Sequence, residues 1–276
     1  MRFLLTVLLL LALLTACENP LSNSNEKLDK LYSAIESGDE KAIEDLLTKK
    51  IINKKLEDKE YPFLYAASLG QEQMVLDMLE YKPDLKAEDH VGNNLLLVAI
   101  ENNLEEVTTK LIEKDEININ QQNDYGYTAI LFAAEKGNFS IVKLLLGKNA
   151  DPTIPNEEGY LPIHSAAVSN NLDILHALIK QSEINAQDKS GNTPLNYAVS
   201  QLNYDTCQLL LENGANVNLA NNEGYTPLAK AVIFEDESII KLLLNHGADR
   251  NSEVNGKKIV DLTDNQMIVD LIKKGE

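Results

Sequence analysis

Four histidines and two cysteines are the residues of this 276-residue chain best suited to ligate a metal or act as nucleophiles. Zinc needs Cys or His pairs a few residues apart. His90, His164, His176 and His246 stand apart with no such pairing. The chain has no Gly-x-Gly-x-x-Gly or Gly-x-x-x-x-Gly-Lys cradle for phosphate, and no Gly-x-Ser-x-Gly elbow to expose a serine. Carboxylates are abundant, 43 against 25 basic side chains, for a formal charge of −18. Most fall on expected solvated helix faces. The turns at Asp151 and Asp249 lack the several oxygens within one short loop that calcium requires, and they read as turn and cap residues. No catalytic residue, metal or cofactor is expected. The acidic balance also argues against nucleic acid, whose phosphates need clustered Lys and Arg. It either steers a basic partner or simply keeps the protein soluble.

The two cysteines differ in setting. Cys207 lies in Asp205-Thr206-Cys207-Gln208-Leu209-Leu210-Leu211, on the apolar face of an expected helix, and reads as a buried, inert thiol. Cys17 follows Arg2 and an apolar run of 12 residues, Phe3 to Leu14, too short to span a bilayer comfortably. The string Leu14-Thr15-Ala16-Cys17 resembles the lipobox of bacterial lipoprotein signal peptides. The resemblance implies that residues 1–16 are removed as a signal peptide. It also implies that the Cys17 thiol receives diacylglycerol and that the new N-terminus is acylated, with palmitate-type chains. Those chains would be the only membrane contact. An ordinary secretory signal with an incidental Cys is the alternative. Cleavage would leave 24 basic and 43 acidic side chains, a charge of −19, and Cys207 without a disulfide partner. Residues 17–25, polar and containing Pro20, read as lipidated Cys and tether. Glu18 stands where Asp is the usual inner-membrane retention signal in enteric-type bacteria. The expected location is therefore the bacterial cell envelope, on the periplasmic face of the outer membrane.

The elements that would position any site repeat at a fixed interval. Gly92, Gly126, Gly159, Gly191, Gly224 and Gly256 are separated by 34, 33, 32, 33 and 32 residues. Around them one string returns, as in Gly126-Tyr127-Thr128-Ala129-Ile130-Leu131, Gly191-Asn192-Thr193-Pro194-Leu195 and Gly224-Tyr225-Thr226-Pro227-Leu228. A second string follows about ten residues later, as in Ile141-Val142-Lys143-Leu144-Leu145-Leu146 and Ile239-Ile240-Lys241-Leu242-Leu243-Leu244. Each Gly suits a turn with positive φ. Thr193 and Thr226 suit helix N-caps, with Pro194 and Pro227 at the first helical position. The pairs Ala133-Ala134 and Ala166-Ala167 allow close helix approach. Gly70 and Gly137, with Asn102-Asn103 and Asn170-Asn171, suit the left-handed residue that ends a first helix. The wide apolar stripe of the second string suits a helix buried between neighbours, and Gly214 and Gly247 suit its end.

These residues closely resemble the ankyrin repeat, with its Gly turn, Thr-Pro-Leu-His, paired Ala, Val-x-Leu-Leu-Leu and Gly-Ala-Asp. The resemblance covers residues 26–276 and implies an all-α repeat solenoid, an ankyrin-like stack of helix-turn-helix units with β-turn fingers. About eight repeats are expected, degenerate at both ends. The repeat on Gly92 has Asn94-Leu95 in place of Thr-Pro, and an earlier one has Lys59 at the Gly position. Only His164 matches the family's His, which implies a structural residue bonded within the turn network.

The resemblance also implies a function, binding another protein through the concave side made by the fingers and first helices. Carried over by position, the binding residues are Asp124, Tyr125, Tyr127, Glu157, Glu158, Tyr160, Glu223 and Tyr225. Exposed first-helix positions add Glu135, Lys136, Ser169, Gln201, Ile233 and Phe234. Tyr127, Tyr160 and Tyr225 share the position after Gly and either anchor a partner or pack on the neighbouring turn. Phe234 is either an anchor or a gap filler. The expected protein is a monomeric, lipid-anchored scaffold whose partner has a basic surface. The alternative is an inhibitor or immunity-type protein that blocks a toxin or enzyme.

Overall fold

A short helix survives in a folded chain only when its ends are satisfied and one face is buried; every repeat buries a face, and most first helices carry a side-chain cap. The computed structural model describes residues 20–57, 59–114 and 116–274. The signal segment 1–16 and Cys17 lie outside the described residues. The chain divides into two compact units, residues 1–107 and 108–276.

In the first unit, helices α1 (Pro20–Ser37), α2 (Glu40–Leu46), α3 (Pro62–Ser68), α4 (Glu72–Leu79) and α5 (Leu95–Glu101) precede α6 (Glu105–Glu113), which runs past residue 107. Helix α1 begins at Pro20, inside the stretch 17–25 read as a tether. It buries Leu28, Leu31, Tyr32 and Ile35, a spacing that puts all four on one face. Helices α1, α3 and α5 stack side by side. Where Thr-Pro is missing, Asn94 does the capping instead, its Oδ1 accepting the Leu97 N–H at 3.0 Å.

The second unit holds four further helix pairs. These are α7 (Ala129–Glu135) and α8 (Phe139–Gly147), α9 (Pro162–Val168) and α10 (Leu172–Ile179), α11 (Pro194–Ser200) and α12 (Tyr204–Glu212), then α13 (Pro227–Ile233) and α14 (Glu237–Asn245). First helices α7, α9, α11 and α13 pack in one row and second helices α8, α10, α12 and α14 in another. A two-stranded hairpin, β1 (Glu253–Val254) and β2 (Lys257–Lys258), a 3-10 turn at Ile259–Leu262 and α15 (Gln266–Lys273) close the unit. Arg250 Nη1 donates to the Leu271 and Ile272 carbonyls, at 3.3 and 2.9 Å, and so satisfies the last turn of α15.

The expected caps form. Thr128, Thr193 and Thr226 accept N–H bonds from Leu131, Asn196 and Ala229. Ala133, Ala134, Ala166 and Ala167 are wholly buried between helices. Gly70, Gly137, Asn103 and Asn170 take positive φ as read from the sequence. Leu202 and Glu235 take the same left-handed place in the next two repeats, at φ 57° and 56°. Neither residue type announces that conformation, because neither favours it.

The fingers and a tyrosine–carboxylate cleft

A finger needs its loop closed and its backbone donors satisfied before it can present side chains. An Asn or Asp three residues before Gly126, Gly159, Gly191 and Gly224 performs both tasks. Asn123 Oδ1 accepts the Tyr125 and Tyr127 N–H groups at 3.0 and 2.9 Å. Asn156 serves Glu158 and Tyr160, Asp188 serves Ser190 and Asn192, and Asn221 serves Glu223 and Tyr225, all at 2.8–3.1 Å. Sequence reasoning missed these residues, although their recurrence three places before Gly was the available signal. Successive fingers are then joined through the backbone. Glu157 N–H donates to Tyr125 O at 2.9 Å, Lys189 to Glu158 O at 2.8 Å and Asn222 to Ser190 O at 2.9 Å.

The positions read as binding residues divide into two groups. Asp124, Tyr125, Glu157, Glu158 and Glu223 are exposed, with Tyr125 at 55% the most exposed aromatic of the fingers. Ile233 and Phe234 are exposed at the end of α13, and Phe234 fills no gap. Tyr127, Tyr160 and Tyr225 are half-buried. Tyr127 stacks on Phe132, centroids 4.7 Å apart, and Tyr160 stacks on His164 at 5.0 Å. One face of the Tyr127 ring and one of the Tyr160 ring are thus used in packing.

Four of the anticipated residues, Tyr127, Glu135, Glu158 and Tyr160, meet in one open cleft of about 340 Å³. Asn156, Asp188, Ser190 and Tyr197 complete it. Tyr197, from α11, was not anticipated; it stands edge-on to Tyr160 at 5.4 Å and donates to Asp188 Oδ2 at 2.5 Å. Tyr127 OH lies 3.4 Å from Glu135 Oε1. Tyr225 does not join them. Asn192 interrupts the row, and Lys230 Nζ donates to Asn192 Oδ1 and Ser200 Oγ at 2.9 and 3.2 Å. Burial raises the phenol pKa values of all three cleft tyrosines, Tyr160 to about 12, so they remain neutral donors. Burial likewise raises the Glu135 carboxyl, partly offset by the Tyr127 hydroxyl and Lys136.

His164 is structural. Its Nδ1 accepts the Leu161 N–H at 2.9 Å, which leaves Nε2 as the protonated nitrogen donating to Ala186 O at 3.0 Å. Burial holds its pKa below 6.5. Cys207 is buried and its thiol is pushed up to about 12, which fits an inert residue. Among the described residues no cluster of three or more His, Cys, Asp or Glu is placed to hold a metal ion.

The family model for ankyrin repeats matches three overlapping stretches, residues 31–123, 96–188 and 163–254. An ankyrin repeat protein of Acanthamoeba polyphaga mimivirus, L371, is 27% identical over 207 residues, covering 71% of this chain and 27% of its own length. The human transient receptor potential cation channel subfamily A member 1 is 30% identical over 132 residues, 45% of this chain and 12% of the channel. This chain therefore spans only a small part of these relatives. The solved ankyrin repeat domain of Bcl-3 superposes with a TM-score of 0.67 at 23% identity, covering 79% of this chain and all of that domain. At that identity the likeness speaks to fold alone. Family match, capped helix pairs and linked fingers together make this chain an ankyrin-repeat protein, built on a fold that serves protein–protein interaction.

Proposed function

We propose that the protein is a lipid-anchored scaffold of the bacterial cell envelope that binds another protein through its fingers and first helices. The observation that supports this reading best is the linked row of fingers. It holds Asp124, Tyr125, Glu157, Glu158 and Glu223 exposed on a backbone already fixed by hydrogen bonds. A pre-ordered surface loses little entropy on binding, and exposed carboxylates beside an aromatic favour a basic partner. Replacing Asp124, Tyr125, Glu157 and Glu223 together with Ala changes exposed side chains without touching the core. Recovery of the partner from solubilised membranes should fall by about tenfold or more. Unchanged recovery would discard the finger surface.

The anchor rests on Leu14-Thr15-Ala16-Cys17 behind the apolar run. Cys17→Ser removes the only thiol that can form the thioether at that position. We expect the variant to leave the membrane fraction and to lose metabolic labelling by palmitate. A cleaved Cys17→Ser form that stays membrane-bound would remove lipidation from the reading.

A further inference from the structure

The carboxylates of the cleft are not neutralised by an ion pair, although the Lys136 ammonium acts on Glu135 from a distance. Among the described residues none forms an ion pair with Glu135, Glu158 or Asp188, and the nearest amine of α13, Lys230, is held by Asn192 and Ser200. The first unit satisfies a related carboxylate, with tyrosines that come from other repeat positions. Glu36 stands two residues before Gly38 as Glu135 stands two before Gly137. The Glu36 carboxylate accepts the Tyr65 hydroxyl at 2.9 Å and pairs with Lys59 Nζ at 3.1 Å. That ammonium lies 5.1 Å from the Tyr65 ring centroid and 5.4 Å from that of Tyr32. Lys59 comes from the finger position of the following repeat, which in the second unit is Gly159 and carries no side chain. Beside Glu135 a wall of carboxylates and differently placed tyrosines is built, and no ammonium stands where Lys59 stands in the first unit.

We propose that the cleft lined by Tyr127, Tyr160, Tyr197, Glu135 and Glu158 receives a lysine or arginine side chain of the protein partner. Aromatic faces and carboxylates attract a cation together, and more strongly where the site is partly desolvated. The open mouth, between fingers, admits a side chain from outside. The proposal rests on the finger surface being the binding face, and its test reads the cleft separately.

The full chain, solubilised in mild nonionic detergent with ring-labelled tyrosine, is titrated with N-acetyl-lysine amide and N-acetyl-arginine amide. N-acetyl-citrulline amide serves as the neutral match for arginine. The cationic amides should shift the Tyr127, Tyr160 and Tyr197 signals saturably, and citrulline should bind at least about tenfold more weakly. Glu135→Gln, an exposed and near-isosteric change, should weaken the cationic amides by roughly fivefold, and Glu158→Gln should act in the same direction. Absence of saturable shifts, equal binding of citrulline, or unchanged binding in both variants would overturn the proposal. If a partner is still captured by the fingers while the amides fail, only the cleft is lost. Amide binding with no loss of partner in the finger variant would show that the cleft takes a cation but overturn its use by the partner, together with the finger reading.

Discussion

Replacing Gly126 with Ala should lower the stability of the second unit by about 3 kcal/mol, the sum of a left-handed residue's strain and a backbone clash. Gly126 has φ 79°, and a Cβ there would lie 2.8 Å from Asn156 Cα and from Glu157 N. The contact is with backbone, so no side chain can swing aside. Glu157 N is also the donor that joins the Gly126 finger to the next one. The strain therefore reaches the finger linkage as well as the turn. Gly224 provides the comparison. Its φ is 84°, yet an added Cβ would meet nothing within 4 Å. Gly224→Ala should cost only the conformational part, about 1–2 kcal/mol. Thermal unfolding followed by circular dichroism should separate the two, since each kcal/mol shifts the midpoint by about 2–4 °C at this size. Equal losses would mean that close approach contributes nothing and only φ matters.

His164→Ala should have an effect of similar size by a different route. It removes the acceptor for the buried Leu161 N–H and the donor for the half-buried Ala186 O, and opens a cavity where the ring is fully buried. Each stranded group costs about 1–3 kcal/mol, so a loss of about 3 kcal/mol is expected. His164→Asn should recover part of this, because Asn196 already does the same work one repeat later, its Oδ1 accepting the Thr193 N–H at 3.1 Å. The ring also carries a pH signature. Its folded pKa lies below the unfolded value of 6.5, so the unfolded chain takes up the proton first. The stability it gives is complete above about pH 6.5 and declines as the pH falls toward the folded pKa. Between about pH 7.5 and 5 the wild type should therefore lose more than His164→Asn, measured as the difference in urea midpoint. A constant difference across that range would show that the ring does not remain neutral in the fold.

The repeat was legible because its demands are local. A turn that needs positive φ selects Gly, and an open helix start selects Thr or Asn, so Gly126, Thr193 and Asn94 could be read in place. The tether reading of residues 17–25 rested on composition, whereas the observed helix starts at Pro20, a residue well suited to a first turn. The cleft was only half legible. Tyr127 and Tyr160 announce themselves by position. Tyr197 joins them through the stacking of neighbouring first helices, and no spacing along one repeat reports that. The tyrosines were weighed as either anchors or packing, and the structure uses one face for packing while leaving cleft lining on the other. Leu202 and Glu235 were invisible as left-handed residues because tertiary packing, and not their own preference, holds them there.

The bonds that join one finger to the next are made by main-chain atoms: Tyr125 O, Glu158 O and Ser190 O accept from Glu157, Lys189 and Asn222 N–H groups. Any amino acid except proline at the donor places supplies the same atoms. The side chains at 124, 125, 157, 158 and 223 can thus drift under selection without loosening the frame that carries them. Asn222 is the exception, since its own Nδ2 bonds Lys189 O. Recognition on this surface can be rewritten residue by residue, while the architecture stays indifferent to what is written.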